Sequence, residues 1–166
     1  ASYLMGMDIE AIRDGMHTFS MSFENTPGRL NLYDKHPFKV IMDYAHNIDG
    51  MSQLGAFVDQ LKVSGRKVLM FQVRGDVEDV YIKHMATAAA GHFDHYVART
   101  HPVYTGPDEQ KVLALIKEAL LESGVEESHI VTTTNQSFAV ETTLKMGKRG
   151  DLLVFTPGMK QRLDTW

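Results

Sequence analysis

Short apolar segments alternate with longer amphipathic segments over most of the chain, and this alternation constrains the fold more than any other feature. Apolar runs bounded by polar turn residues predict buried strands, and apolar residues recurring every three or four positions predict helices. The alternation predicts an α/β fold with a Rossmann-like, mostly parallel sheet, right-handed crossovers and helices on both faces. The predicted strands cover residues 30–33, 38–44, 68–73, 96–98, 130–132 and 152–155, and the predicted helices cover 8–19, 51–65, 77–91, 107–124 and 137–146.

The ends of the predicted helices carry local signals. Asp8 precedes the first helical stripe as a candidate N-cap. Pro107 stands at the predicted start of the fourth helix, where proline is favoured in the first turn. Gly65 and Gly124 follow helical stripes and predict helix C-termini.

The first predicted helix precedes the strand–helix alternation and is followed by a polar, turn-rich segment at residues 20–29. We therefore expect residues 1–25 to be the tail of a preceding domain with a hinge, and residues 26–166 to form one domain. The chain starts at Ala1 rather than at methionine, which favours a piece of a larger polypeptide.

Composition excludes several classes of function. The chain has 17 basic and 21 acidic residues and a net charge of -4, so it has no global field for binding nucleic acid or an anionic membrane. It contains no cysteine, which excludes disulfides, thiolate metal sites and cysteine nucleophiles and agrees with a reducing cytoplasm. No apolar run approaches the roughly 18 residues of a membrane span. We expect a cytoplasmic domain without a nucleic-acid or membrane partner.

A polar cluster follows the second predicted strand directly, as Asp43, Tyr44, Ala45, His46 and Asn47. In open α/β sheets ligands bind at the carboxyl ends of strands, so this cluster is the leading candidate site. A carboxylate there can accept hydrogen bonds from ribose hydroxyls, and an imidazole can contact phosphate or orient water. The alternative is that Asp43 caps the next helix and His46 is an ordinary loop histidine.

Three further candidates are weaker. Arg74, Gly75 and Asp76 follow the third strand, where a glycine can approach a ligand or a partner domain closely, although acids at a helix start are the commoner explanation. Arg29 lies at the suspected hinge, and its planar guanidinium suits phosphate. Histidines and an aspartate within residues 92–95 resemble a metal cluster by composition only.

Common catalytic motifs are absent from the sequence. Neither G-x-G-x-x-G nor the P-loop motif G-x-x-x-x-G-K-[ST] occurs, so the chain has neither common phosphate-binding loop. A G-x-S-x-G elbow is also missing, which removes the usual serine-hydrolase nucleophile.

Two segments resemble the start of the C-terminal domain of the Mur ligase superfamily: Thr26-Pro27-Gly28-Arg29-Leu30-Asn31 and Val40-Ile41-Met42-Asp43-Tyr44-Ala45-His46-Asn47. Within the superfamily the chain looks most like the cyanophycin synthetases, through residues 22–24, 75–76, 93–96 and 150–154. The likeness covers nearly the whole chain. It implies that residues 26–166 form a Mur ligase C-terminal domain and that residues 1–25 are the end of a central ATPase domain.

This resemblance implies an ATP-dependent ligase that activates a carboxylate as an acyl phosphate, which an amino group then attacks to form an amide. ATP and Mg²⁺ would be bound mainly by the central ATPase domain of the same polypeptide, over which this domain closes. Arg29 would contact nucleotide phosphate or the hinge, Asp43 the ribose, and His46 with Asn47 the nucleotide side of the site. Ile48 stands where the family commonly has proline.

In the cyanophycin synthetases, this module joins arginine to an aspartate side chain of a poly-aspartate backbone. The sister possibilities are murein-peptide and folylpolyglutamate ligases. Without a P-loop the isolated chain is expected to be inactive, and a homo-oligomer is possible. Two other classes remain open at this point: a non-catalytic nucleotide-binding or interaction module, and a metal hydrolase using Asp43 and His46.

Overall fold

Apolar strand residues build a single mixed sheet in the computed structural model, which describes residues 1–20 and 22–156. Three helices after the first begin next to an N-cap residue whose side-chain oxygen accepts a backbone amide of the first turn: Asn47, Asp108 and Asn135. The strands are β1 (Asn31–Tyr33), β2 (Lys39–Met42), β3 (Lys67–Val73), β4 (His95–Thr100), β5 (Ile130–Thr133) and β6 (Leu152–Phe155). The helices are α1 (Ile9–Thr18), α2 (Ile48–Gln60), α3 (Asp79–Ala89), α4 (Glu109–Glu122) and α5 (Gln136–Met146), with a 3₁₀ turn at Glu127–His129.

The sheet has the strand order β1-β2-β6-β3-β4-β5. β1 pairs antiparallel with β2, and the other neighbouring pairs are parallel. Strand β6, the last strand in the described part of the chain, lies between β2 and β3. The parallel pairs confirm the expected mostly parallel α/β sheet. All parallel strands end at one edge, so the loops after β2, β3 and β4 lie on the same side of the molecule.

Helices cover both faces of the sheet, as expected: α2, α3 and α4 lie on one face and α5 lies on the other. On one face, Leu69 and Phe71 of β3 pack against α2, α3 and α4. On the other face, Val68 and Met70 pack with residues of α5. Side chains of a strand alternate between faces, and both faces of β3 are apolar because both are covered.

The helix ends correct two local expectations and confirm a third. The predicted C-terminus at Gly65 is wrong: α2 ends at Gln60, and Gly65 lies in the following loop. Helix α4 begins at Glu109 with Asp108 as its N-cap, so Pro107 precedes the helix instead of filling its first turn. Asp8 is confirmed as the N-cap of α1, since its carboxylate accepts the Glu10 amide at 2.9 Å.

Helix α1 has no buried residue. Apolar side chains on and beside it are open to solvent: Ile9 is 46% exposed, Met16 73% and Phe19 57%. The division at residue 25 remains a prediction. No helix in the described part of the chain is long and apolar enough to cross a membrane.

A carboxylate with 3% of its surface exposed, Asp151, joins two loops at the amino end of the sheet. It accepts the backbone amides of Arg66 at 2.8 Å and Lys148 at 3.0 Å, and the Arg66 guanidinium at 2.6 Å. Burial pushes its pKa upward, but the hydrogen bonds and charge of Arg66, with the Lys148 amide, outweigh burial and hold the pKa below its ordinary value.

We predict that Asp151→Asn destabilises the domain by about 3 kcal/mol at neutral pH, because Arg66 loses its buried counter-ion. A lowered folded-state pKa stabilises the fold above the unfolded pKa of about 4, and this contribution disappears as the pH falls through the folded value. Urea unfolding between neutral and acidic pH should therefore show a shallower acid dependence in the variant. Asp59→Asn, which alters an exposed ion pair, should change stability far less; equal effects of the two variants would contradict the assignment.

Candidate functional site

The loops after β2, β3 and β4 converge at the carboxyl edge of the sheet around a cavity of about 70 Å³. Its lining combines imidazole, phenol and guanidinium groups with a few apolar side chains. This is the region where ligands bind in open α/β sheets. The lining residues are Tyr44, His46, Gln72, Val73, Arg74, Tyr81, Met85, His101 and Tyr104.

The turn that carries Arg29 is fixed by a buried asparagine. Asn31 is 3% exposed; its Oδ1 accepts the Gly28 amide at 2.5 Å and its Nδ2 donates to the Thr26 carbonyl at 3.0 Å. Gly28 has φ +72° and Leu30 has φ +48°, so the chain passes twice through the left-handed region. The asparagine side chain supplies hydrogen-bond partners to backbone groups of this irregular turn that have no partner in the β-sheet.

Asp43 connects this turn to the end of β2. Its Oδ2 accepts the Leu30 amide at 3.1 Å. Burial raises the pKa of the half-buried Asp43 carboxyl, and this effect outweighs the opposing hydrogen bond from Leu30 and the charge of Arg29. The alternative role of Asp43 as a helix cap is excluded, because α2 is capped by another residue.

That residue is Asn47, whose Oδ1 accepts the Gly50 amide at 2.7 Å. Asn47 was predicted to bind a nucleotide. Its carbonyl oxygen already serves the helix, so its amide NH₂ remains for a ligand.

Arg29, Tyr44 and His46 form a stack at the surface. The Arg29 guanidinium carbon lies 4.9 Å from the centroid of the Tyr44 ring. The rings of Tyr44 and His46 stack with centroids 4.6 Å apart and planes inclined by 26°. His46 Nδ1 lies 3.1 Å from the Tyr44 carbonyl, which can only accept, so Nδ1 carries the proton and Nε2 is available to a ligand.

Arg74 and Asp76 pair with one another. Arg74 donates from Nε at 2.9 Å and from Nη2 at 2.7 Å to the two oxygens of Asp76, and its guanidinium lies 4.3 Å from the Tyr104 ring centroid. The hydrogen bonds and charge of Arg74 lower the pKa of Asp76. Both side chains are partly exposed, so this pair contributes position rather than much stability.

The backbone of Gly75 packs closely against the loop after β4 of the same chain, and not against a ligand or a partner domain. Its amide donates to the Tyr104 carbonyl at 2.7 Å. A Cβ on Gly75 would overlap the Thr105 carbonyl, and a Cβ on Gly106, which has φ +73°, would overlap the Gly75 carbonyl. These two glycines hold the loops after β3 and β4 together.

His101 turns the loop after β4 towards the cavity. Its Nδ1 accepts the amides of Val103 and Tyr104, each at 3.1 Å, which places its proton on Nε2. Burial lowers the pKa of His101, and the positive charges of Arg99 and Arg74 lower it further. The imidazole is therefore a neutral hydrogen-bond donor at the cavity.

A buried cation lies behind the site on β4. Arg99 is fully buried, and its Nη2 donates to Gln72 Oε1 at 2.5 Å. Burial lowers the pKa of Arg99 to about 10, so it stays charged at neutral pH.

The structure places Arg29, Asp43 and His46 at one edge of the sheet, and their contacts with a nucleotide stay a prediction. Sequence reasoning missed Asn31 and the pair His101 and Tyr104. His101 follows a strand directly, so the rule that selected Asp43 also selects it, whereas nothing in the sequence marks Asn31 as the residue that closes its turn.

The histidines and the aspartate within residues 92–95 resemble a metal site by composition, but they do not form a metal-binding cluster. His92 Nδ1 lies 2.6 Å from an Asp59 oxygen, while His95 packs against the His129 ring with centroids 4.4 Å apart. Within residues 1–20 and 22–156, no group of three His, Asp or Glu side chains is placed to hold a metal ion, and Asp43 with His46 does not form such a site.

We predict that Asn31→Ala destabilises the domain by about 2 kcal/mol, because the buried Gly28 amide and Thr26 carbonyl lose their partners. Amide hydrogen exchange should accelerate in residues 26–30. The matched control is Asn25→Ala, which alters an exposed asparagine of the same segment. Unchanged exchange at Gly28 in the Asn31 variant would refute the role given to this side chain.

We also predict that Gly75→Ala costs more than about 2 kcal/mol, because the new methyl group overlaps backbone that cannot yield. Urea unfolding measures the loss. Gly15→Ala is the control: it lies in α1 with open space around it, and alanine there should be neutral or slightly stabilising. Equal stability of the two variants would contradict the close approach.

Comparison with known proteins identifies relatives that share sequence with this chain. A cyanophycin synthetase of Geminocystis herdmanii is 32% identical over 157 residues, which is 95% of this chain and 18% of that protein. A UDP-N-acetylmuramoyl-L-alanyl-D-glutamate–2,6-diaminopimelate ligase of Clostridium acetobutylicum is 26% identical over 158 residues, covering 90% of this chain and 29% of that protein. The chain thus spans about a fifth of the length of the cyanophycin synthetases it matches.

Solved structures agree on the fold. The Mycobacterium tuberculosis folylpolyglutamate synthase complexed with ADP superposes with a TM-score of 0.66 at 19% identity, over 94% of this chain and 34% of that one. The family model described as "Mur ligase, glutamate ligase domain" matches residues 28–159. The resemblance expected from the Pro-Gly-Arg and Asp-Tyr-Ala-His-Asn segments is confirmed, and the chain belongs to the Mur ligase family through its C-terminal, glutamate ligase domain.

Proposed function

We propose that this chain is the C-terminal domain of an ATP-dependent amide-forming ligase of the cyanophycin synthetase type, which joins arginine to the side chains of a poly-aspartate backbone. The observation that carries the proposal is the convergence of Arg29, Asp43 and His46 at the carboxyl edge of a Mur ligase domain. The 32% identity to a cyanophycin synthetase favours this substrate over those of murein-peptide and folylpolyglutamate ligases.

The residues present suit a nucleotide. Arg29 is exposed and forms no ion pair with any described residue, so its guanidinium is available for phosphate oxygens. Asp43 is held in place by the Leu30 amide and can accept a ribose hydroxyl. Helix α2 begins at Ile48 beside His46, and its positive N-terminal end also favours an anion there.

Bound ATP supplies the phosphoryl group that activates a carboxylate as an acyl phosphate, and attack by an amine then forms the amide and releases phosphate. This domain's contribution is to bind and orient the nucleotide from one side. Closing over the site also excludes water that would hydrolyse the activated carboxylate. Magnesium belongs elsewhere in this scheme, since the described residues offer no three-ligand cluster, and we assign no step to it in this domain.

The central ATPase domain of the same polypeptide is the proposed partner. The relatives extend far beyond the part matched by this chain. Helix α1 presents an apolar side without a partner, and residues 1–25 precede the turn at Thr26 that starts the Mur ligase segment. We assign residues 1–25 to the end of that domain and to the hinge, and residues 26–166 to the C-terminal domain.

Calorimetry with ATP tests the division of labour between the domains. We expect no tight binding to the 166-residue chain alone, because the sequence has no P-loop, and tight binding to the polypeptide extended upstream. Tight binding by the chain alone would instead favour the alternative function, a stand-alone nucleotide-binding module.

We predict that Asp43→Asn and His46→Ala each lower ligation by the full-length enzyme at least about tenfold, because a hydrogen bond to a charged or polar group of the nucleotide is lost. Asparagine is used at position 43 because its oxygen still accepts the Leu30 amide. His84→Ala, at an exposed histidine of α3, is the control and should leave turnover unchanged. Wild-type turnover in both site variants would overturn the assignment, provided that thermal unfolding shows all three proteins folded.

A further inference from the structure

A second feature lies at the opposite, amino edge of the sheet, where three loops meet: residues 34–39, 61–66 and 147–151. We call them the basic face. They carry six Lys and Arg side chains and two Asp side chains, a net charge of +4, whereas the whole chain has a net charge of -4. The remainder of the chain therefore sums to -8, so positive charge is concentrated on one side.

Five of the six cations of the basic face form no ion pair with a described residue of the domain. Arg66 pairs with Asp151. The other five are exposed, and none forms an ion pair with any residue in 1–20 or 22–156. They are Lys35, Lys39, Lys62, Lys148 and Arg149.

The loops that carry these cations are joined rigidly. The Gly150 amide donates to the Pro37 carbonyl at 3.0 Å, and the Gly65 amide donates to the Gly150 carbonyl at 3.0 Å. Asp151 adds its hydrogen bonds to Arg66 and Lys148. The backbone under the charges is thus fixed before any ligand arrives, which reduces the entropy lost on binding.

A cavity of about 190 Å³ opens among the same loops. Lys39, Lys62 and Ser64 line it together with apolar side chains such as Phe38 and Val63. One carboxylate in the lining, Asp34, has no ion-pair partner among the described residues. The cavity combines cationic and hydroxyl donors with an apolar wall, which suits a small side chain that ends in a carboxylate.

We propose that the basic face binds an acidic polypeptide. The three loops lie at the ends of the neighbouring strands β2, β6 and β3 and so span about 10 Å. Side chains on one face of an extended peptide repeat about every 7 Å. Two successive same-face carboxylates of such a peptide therefore fit within the span of the three loops. The choice of poly-aspartate as the acidic polypeptide rests on the proposed function, whereas the surface itself lies at the edge opposite the proposed nucleotide site.

One observation favours a polypeptide over a nucleic acid. The rings of His36 and Phe38 stack on each other, with centroids 5.3 Å apart, so they do not present an open pair of faces to successive bases.

Fluorescence anisotropy with labelled poly-L-aspartate tests the proposal on the 166-residue chain, at low and at physiological ionic strength. We expect binding that weakens with salt. Lys62→Gln with Lys148→Gln should lower the affinity by about tenfold, since two exposed charge contacts are lost. Asp34→Asn should raise the affinity, because it removes the unpaired carboxylate from the cavity.

The matched control is Lys111→Gln with Lys117→Gln, which makes the same change in net charge on α4. It should leave the affinity nearly unchanged, and thermal unfolding should show both double variants folded. Absence of poly-aspartate binding, an equal loss in the α4 control, or equally tight binding of oligothymidylate would each overturn the proposal. Any of these results would leave the ATP calorimetry of the extended polypeptide unaffected.

Discussion

The hydrogen-bonded insertion of β6 between β2 and β3 is the interaction on which the rest of the structure depends. Leu152–Phe155 pair with β2 on one side and with β3 on the other, and all four residues are buried. The Asp43 amide then donates to the Phe155 carbonyl, and the Thr156 amide to the Met70 carbonyl, at 3.0 and 2.9 Å. These bonds fix the distance between the loops that follow β2 and β3, and hence the width of the candidate site.

The two edges of the sheet carry different chemistry because different kinds of side chain follow and precede the strands. At the carboxyl edge, stacked rings, Asp43 and the turn closed by Asn31 make a shaped surface with few free charges. At the amino edge, Asp151 fastens the loops and the lysine side chains are exposed. A rigid sheet with functional loops is the general design of α/β domains. Here a buried polar residue fastens backbone at each edge: Asn31 closes a turn at the carboxyl edge, and Asp151 joins two loops at the amino edge.

Much of the fold can be predicted from the sequence, because strands and helices depend on the spacing of apolar residues and on composition. The apolar run at 152–155 matches β6 to the residue, and the stripe before Gly124 gives α4. The site is predicted only in part. Placement after a strand identifies Asp43 and His46, but only three-dimensional contacts show that Asn47 caps α2, that Asp43 holds Leu30, and that Gly75 faces Thr105. Such contacts join residues far apart in sequence or need backbone angles that composition does not specify.

The central position of β6 has a consequence for biosynthesis. The ribosome produces Lys67–Val73 well before Leu152–Phe155, so β2 and β3 emerge with the gap between them unfilled. Until the last strand arrives, two apolar strands expose unpaired backbone edges towards each other and towards other chains, a condition that promotes mispairing and aggregation. The domain therefore closes late and over a long sequence separation, and slow folding is expected of such non-local parallel pairing. A nascent chain of this family has most need of a chaperone in the interval before residues 152–155 are free to insert.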